Sequence, residues 1–516
     1  MIDGRSGAEH DTTPGYIPPI TLDHDVIEQQ AVIIRSLQAE IKDLIARVES
    51  LTTALAESES RRIADNNTNQ AIIRDLQTRN DELTAQTSRN SKNSSQPPSA
   101  DGYNKPEPRS LRPKNTGRKN GGQPGHPGTT LRQNDRPDQV ISCHPEKCDG
   151  CGENLNNTLA VSYQRRQVVD LPPLQLVWIE YQLEQVVCPC CRHLNRGVAP
   201  TTVTRQVQYG PNLLALACYL YQCGVMSLSR VQQFCREAFD STISQQVIID
   251  ASRQAATRLD QTFKPAAKQA LAQAEWLHVD ETGFKVDGRL TWLHSVSNPD
   301  WTWIEPHSKR GLQALKDISV LIVFAGVLIH DCWAAYDSDE LVNIVFHQLC
   351  CSHLLRELDA VTEYWIRQGV DPGSAFIWST QATSALQSII HDRNTLDTNR
   401  QKFIHAALTA TNYSMFPAGK LGQKHRALAQ RIINRPDDYL YFATHTNIPP
   451  TNNPAEQEIR VVKIRQKNSG GMRTLTGTRH FTTIRSYIST ARKHGITAYQ
   501  AIHSLFTPAP WLPTPA

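Results

Sequence analysis

Residues 275–308 read EWLHVDETGFKVDGRLTWLHSVSNPDWTWIEPHS: three runs of aromatic and β-branched residues, cut by an Asp287-Gly288 pair and by Asn298-Pro299-Asp300. Runs of this length with turn formers between them predict three strands of an antiparallel meander. Strands disfavour aspartate, yet Asp280 and Glu281 both lie inside the first run. Side chains alternate faces along a strand, so the two point opposite ways and only one of them can serve a given ion.

Partners for that acid lie downstream. After a helical segment, GLQALKDIS, a further strand within GVLIHD ends at Asp331 and runs into CWAAYDSDE. An acid where a buried strand turns outward is where α/β folds place their chemistry, although Asp also serves as an ordinary turn or capping residue. A third acid stands in TNNPAEQEIRVVKIRQKNSGG (451–471). Asn453, Pro454 and Glu456 fit the Ncap, N1 and N3 positions of a helix, which makes Glu456 a capping-box glutamate on the plainest reading. The spacing 456, 460, 463, 467 also aligns Glu456 with Arg460, Lys463 and Lys467 on one helical stripe. With Arg465 these cations are candidate phosphate contacts. Two aspartates on neighbouring strands and a glutamate on a later helix can hold two divalent ions about 3.5–4 Å apart. Oxygen ligands select Mg²⁺ or Mn²⁺ over zinc.

A second metal signal is of a different kind. Cys148-Asp-Gly-Cys151 and Cys188-Pro-Cys-Cys191 are two C-x2-C knuckles, and four thiolates held this way close a structural zinc site with no open position. Alternating runs such as LVWIEYQLEQVV predict strands in the long segment between the knuckles, and Cys143, His144, Cys190 and His193 are alternative ligands.

The rest of the chain supplies connections. Apolar residues at 37, 41, 44, 48, 51 and 55 form the a/d seam of a coiled coil, and the phase returns at Ile72, Leu76 and Leu83 after the polar stretch SESRRIADNNTNQ. One interrupted helix or two fit equally, and self-association is the favoured role over packing on the body. Residues 89–135 form a flexible linker with nine Lys or Arg between Arg89 and Arg132, Arg118 and Lys119 among them, against two acids. Such an arm attracts phosphate backbones without reading sequence. Between 205 and 265 lie three short helical patterns, capped by Ser241 or Ser244 at the third, that admit a helix-turn-helix with the third helix in the major groove or a plain helical subdomain. At 516 residues and a net charge of +4 the chain holds several domains and only local polyanion-binding surfaces. Twelve cysteines behind a start without a signal-peptide pattern point to reduced thiols in the cytoplasm. The longest apolar stretch is too short for a membrane helix of about 20 residues. The expected order is a disordered segment 1–24, coiled coil 25–88, linker 89–135, zinc domain 136–200, helical segment 205–265, catalytic α/β domain 270–500 with a helical insertion at about 360–445, and a disordered Pro-rich tail 505–516.

NSSQPPSAD (93–101), GGQPGHPG (121–128), the two knuckles, HVDETGF, HDCWAAY (330–336), LCCSHLLREL (349–358) and NNPAEQEIR (452–460), in that order, resemble the bacterial transposases of the insertion sequence 66 family. The resemblance covers most of the chain from about residue 35 to 500. It implies a multidomain α/β protein with a ribonuclease-H-like DDE core, Asp280, Asp331 and Glu456 as catalytic acids, and Glu281 bonded elsewhere. Gln457 stands where members usually carry Arg, and Cys350 and His353 read as core packing near the site. It further implies phosphodiester hydrolysis at the ends of a mobile element and 3′-hydroxyl strand transfer into target DNA. Double-stranded DNA, a homo-oligomer through the coiled coil, accessory transposition proteins and a nucleoid-associated location belong to the same expectation. A DNA-binding regulator without catalysis is the competing class.

Overall fold

The computed structural model describes residues 24–89, 125, 131–172, 174–371, 373–374 and 377–514. The N-terminal segment up to residue 23 and the basic-arm residues Arg118 and Lys119 lie outside the described residues, and so do the expectations placed on them. Two units separate, Met1–Thr87 and Ser88–Ala516.

In the first unit α1 (His24–Thr87) is one helix of 64 residues, running unbroken through the polar stretch at 58–70. Nothing in that stretch is proline or glycine, the residues that end helices, which settles one helix over two. Its seam is bare: Leu44, Leu51 and Leu55 are 54%, 69% and 62% exposed.

The second unit opens with the cysteine module. β1 (Gln185–Val187) and β2 (Leu194–Arg196) pair there, antiparallel with Val186 opposite Asn195, and Lys147 and Asn154 form an isolated bridge. Of the run LVWIEYQLEQVV (176–187), where strands were expected, only the end forms β1; residues 176–184 are exposed and belong to no strand. Three helices come next. In α2 (Pro211–Gln222) proline occupies the first turn, where its missing N–H costs nothing. Ser227 caps α3 (Leu228–Phe239) and Ser244 caps α4 (Gln245–Ala272), each accepting an N–H three residues on. α4 is not short: it runs 28 residues, through Pro265, and buries Ile248, Ala255, Leu259, Phe263 and Leu271 completely. One face of it is therefore core, while Gln246, Ile249, Arg253 and Gln254 on the other are exposed.

The predicted meander forms as β3 (Trp276–Val286), β4 (Arg289–Ser297) and β5 (Thr302–His307). Asp287 and Gly288 at φ 48° and 73° make the paired left-handed turn that a two-residue hairpin needs. After α5 (Leu312–Ile318), β6 (Val327–His330) and β7 (Phe346–Leu349) add to the other edge of β3, giving the order β5-β4-β3-β6-β7 with β6 and β7 parallel to β3. β7 had no counterpart among the expected strands, because four residues ahead of a long helix carry too little periodicity. Helices α6 (Cys351–Arg367), α7 (Trp378–His391), α8 (Leu396–Asn412), α9 (Gly419–Asn434) and α10 (Pro436–Thr444) form the expected insertion, closing a core around Trp378, Phe403 and Tyr439 that also takes in Val327 and Ile329 of β6 and Leu349 of β7. The chain then returns as α11 (Asn453–Ser469), α12 (Leu475–Lys493) and α13 (Ala498–Ser504).

Alternation along β3 sorts the layers. Leu277 and Val279 face the core built with α4, α12 and α13, whereas Phe284 and Val286 face Ile459 and Val462 of α11. The tail expected to be disordered is docked: Arg258 of α4 donates to the carbonyls of Leu505, Thr507 and Pro508, and Tyr487 Oη donates to the Trp511 carbonyl at 2.7 Å. No helix among the described residues is long and apolar enough to cross a membrane.

Candidate active site

The parallel pairing of β3 with β6 sets Trp276 beside Val327, Leu277 beside Leu328 and His278 beside Ile329. Continued two residues past the last pair, the same offset carries Asp331 toward Asp280, whose carboxyl feels its charge. Asp331 is the first residue past β6; its Oδ1 accepts the Trp333 N–H at 3.1 Å, and Cys332 at φ 72° turns the chain away. A cysteine in that left-handed region is strained, and it lies next to a carboxylate at the end of a strand.

Glu456 arrives from α11, and not as a cap. The helix begins one residue earlier than expected, with Asn452 at its N-cap and no side-chain cap bond, so Glu456 lies beyond the capping-box position and its carboxylate is released from that duty. Asn452 is used differently. Its Nδ2 donates to the Val279 carbonyl at 2.6 Å and its Oδ1 accepts from His278 Nδ1 at 3.0 Å. Since Nδ2 is the donor, Oδ1 must accept, which fixes the proton on His278 Nδ1. Burial holds that imidazole down to about 4, against the Asn452 bond. The Asn452 N–H goes to Cys350 Sγ at 3.1 Å. One buried amide thus ties the start of α11 to β3, two residues from Asp280.

The acids crowd one another. Asp280 is held well above the usual carboxylate range, by burial first and then by the charges of Glu281, Asp331 and Glu456. Glu281 faces the opposite side of β3, as alternation requires. Its Oε1 accepts from Arg310 Nε at 3.0 Å and its Oε2 from Tyr336 at 2.9 Å. Burial and Asp331 raise its carboxyl while Arg310 opposes them. Arg310 is itself held between Trp292 and Trp333, its guanidinium 4.9 and 4.6 Å from the ring centres.

Glu456 Oε1 is buried without a hydrogen bond, with His353 Nε2 and Arg356 Nη2 each 3.7 Å away. Burial alone would lower the His353 imidazole, but Cys350 and Glu456 raise it to about 9. Burial pushes the Cys350 thiol up, and His353 and the Asn452 N–H outweigh it and bring it below its ordinary value. Cys350 and His353, expected as packing near the site, therefore line it; their i, i+3 spacing on α6 was the available signal. Asn452 gave no signal apart from the Asn-Asn-Pro triplet.

The carboxylates of Asp280, Asp331 and Glu456 converge without all lying within 4.8 Å of one another. Hard oxygen donors, mutual repulsion and an orphaned buried carboxylate oxygen fit a divalent cation such as Mg²⁺ or Mn²⁺. Among the described residues, His330, Asp337 and His347 do meet that distance, but they are not built for a metal. His330 Nδ1 accepts the Cys332 N–H at 3.2 Å, so in the neutral ring the proton is on Nε2, which donates to His347 Nδ1 at 2.9 Å. Arg435 also takes both oxygens of Asp337.

Of the expected phosphate contacts, Arg465 is excluded by its burial. It is 3% exposed, its guanidinium 4.0 and 4.6 Å from the Tyr221 and Phe481 rings and bonded to the Tyr221 carbonyl. Lys463 is half-buried and donates to the Gly283 carbonyl, fastening α11 to β3. Arg460 is exposed on its side chain and reaches Glu456 Oε2 at 3.5 Å; Lys467 is exposed in the last turn.

In the cysteine module each knuckle is a turn closed on its first cysteine: the Gly152 N–H reaches the Cys148 carbonyl at 2.8 Å, and the Arg192 N–H the Cys188 carbonyl at 2.9 Å. Backbone N–H groups at Gly150 and Cys151 lower the Cys148 thiol, and those at Cys191 and Cys190 lower Cys188. Thiols prepared in this way fit zinc. The two pairs are not gathered into a single cluster among the described residues, so closing one four-thiolate site requires the knuckles to approach. His144 is engaged with the Leu155 carbonyl at 2.8 Å.

Comparison with known families accounts for most of this chain. The profile of the zinc-finger binding domain of transposase IS66 matches residues 145–192, which include all four knuckle cysteines. A family of unknown function matches residues 26–132, the long helix and the arm after it. No curated protein matches the chain. The profile of the transposase IS66 family matches residues 206–480, from ahead of α2 into α12, taking in Asp280, Asp331 and Glu456. The chain belongs to the transposase IS66 family, and carries a zinc-finger module ahead of the transposase domain.

Proposed function

We propose that this transposase is a DDE enzyme in which Asp280, Asp331 and Glu456 hold Mg²⁺ or Mn²⁺, hydrolysing phosphodiesters at the element ends and then joining the freed 3′-hydroxyl to target DNA. The observation that carries this reading is the β3–β6 register, which runs toward Asp280 and Asp331 on neighbouring strands, together with the mutual charge of Asp280, Asp331 and Glu456 and the buried, unbonded oxygen of Glu456. A ribonuclease-H-like core is supported by the sheet, three antiparallel strands followed by two parallel to the first.

When bound, a pair of such ions supplies an activated attacking oxygen and a stabilised leaving oxygen. The chain's own residues do the positioning. Asn452 sets the start of α11 against β3, and Arg310 with Tyr336 fixes Glu281 so that Asp280 points to the other face. His353 and Arg356 flank Glu456. Arg460 and Lys467, along α11 from Glu456, suit a phosphate backbone, as do Arg118 and Lys119 in the arm. Cys148, Cys151, Cys188 and Cys191 are the zinc ligands in this reading, and α1 pairs protomers so that two DNA ends are held together.

The test is cleavage of labelled DNA carrying the element's own ends, in Mg²⁺ or Mn²⁺, by the wild type and by Asp280→Asn, Asp331→Asn and Glu456→Gln. Wild-type cutting with all three variants bound but inactive is the expected result. A variant with full activity removes its residue from the assignment, and a wild type that binds without cutting in either metal leaves a DNA-binding regulator.

A further inference from the structure

The bare seam of α1 lets two copies meet, and the seam alone leaves their relative direction open. We propose that the α1 helices pair antiparallel, in the register that sets Arg62 of one copy against Asp65 of the other. This rests on the coiled-coil reading in the proposed function and deepens it.

Because α1 is continuous, the four-three spacing from Leu37 to Leu55 carries straight through the polar stretch and places Arg62 and Asp65 on the seam itself, both exposed. In a parallel pair each seam residue meets its own copy. Arg62 then lies on Arg62 and Asp65 on Asp65, two like-charge layers within one turn at the centre of the helix. Like charges forced together at an interface cost several kcal/mol. In an antiparallel pair the layers join a residue to a different one. Opposing Arg62 to Asp65 makes two ion pairs by symmetry. The same register, in which opposed numbers add to a constant, sets Leu55 on Ile72 and Leu51 on Leu76.

From Leu44 to Leu83 every apolar seam residue but Val48, which meets Arg79, thus finds an apolar partner, and the charges that break the heptads become what specifies direction and register. Shifting by one heptad sets Asp65 on Leu55 and Arg79 on Ile41 in one direction, or Arg62 on Ile72 and Arg79 on Leu55 in the other, two kinds of charge-on-apolar contact against the single Val48–Arg79 contact of the proposed register. With a rise of about 1.5 Å per residue, Thr87 of one copy lies opposite residue 40 of the other, so the two Thr87 ends stand about 70 Å apart along the axis. A parallel pair would bring those ends together.

The experiment uses the full chain in sedimentation equilibrium. The wild type is expected to dimerise and Leu51→Lys to abolish dimers. Arg62→Asp is expected to weaken the dimer about tenfold or more, and Arg62→Asp/Asp65→Arg to restore it to within about threefold. p-Benzoylphenylalanine at position 51 is expected to cross-link to the partner peptide containing residue 76. If Leu51→Lys disrupts the dimer while the double swap restores nothing, or position 51 cross-links to the partner's own residue 51, the antiparallel inference is overturned and the coiled coil survives. A monomeric wild type, or a dimer indifferent to Leu51→Lys, overturns both.

Discussion

At the scale of single residues, Asp280 sets the terms of the site. A carboxyl raised in the folded state is ionised only at a cost to folding: unfolded chains release its proton near pH 4, the folded chain well above that. The stability tied to its protonated form is complete below the unfolded value and is lost as pH rises through the folded one. Metal-free protein is therefore expected to lose melting temperature over that rise, with Mg²⁺ or Mn²⁺ recovering part of it, and Asp280→Asn to flatten the dependence; calorimetry across pH, with and without metal, reads all three. Asn452 makes the complementary case. Asn452→Ala leaves the His278 N–H and the Val279 carbonyl buried without partners, an expected cost of about 1–3 kcal/mol for each group so stranded. Urea titration measures the loss, and cleavage should fall with it because α11 carries Glu456.

The element scale separates cations that look alike in sequence. Arg460, Lys463, Arg465 and Lys467 share one helix, but α11 turns Arg465 inward between two rings and ties Lys463 to β3. Arg465→Ala should cost about 2–4 kcal/mol of stability and leave the slope of log affinity for DNA against log salt unchanged. Arg460→Ala should leave the melting temperature alone and reduce that slope by about one phosphate's worth. The cysteine module gives a test of its own ligand set. Zinc chelation is expected to open Cys148, Cys151, Cys188 and Cys191 to alkylation, read by mass mapping, while Cys218, Cys235, Cys350 and Cys351 stay protected in the core.

Over the whole molecule, the C-terminal segment beyond the family match is docked on α4 and α12. Ending the chain at Ser504 removes the carbonyls that hold Arg258 and the burial of Leu505 and Phe506 against the main core. Loss of that packing should cost about 3 kcal/mol or more and lower the melting temperature by several degrees.

Local pattern by itself determined the elements: the Asp287-Gly288 hairpin, the helix carrying Glu456, the knuckles, the bare heptads of α1. These are legible because period, turn chemistry and ligand spacing act over a few residues. The three candidate acids were legible for the same reason, Asp280 as an acid inside a strand and Asp331 and Glu456 at a strand end and a helix start, each where its local role looked incomplete. Tertiary structure alone decided what each side chain then faces. It gave Asn452 the cap position and spent its amide on β3, turned Arg465 from surface to core, buried one face of α4, paired β7 at a sheet edge, and folded a Pro-rich tail onto α4 and α12. In each case the deciding partner lies tens to hundreds of residues away, and the free energy of burying a polar or apolar group depends on that partner and not on the neighbours in sequence.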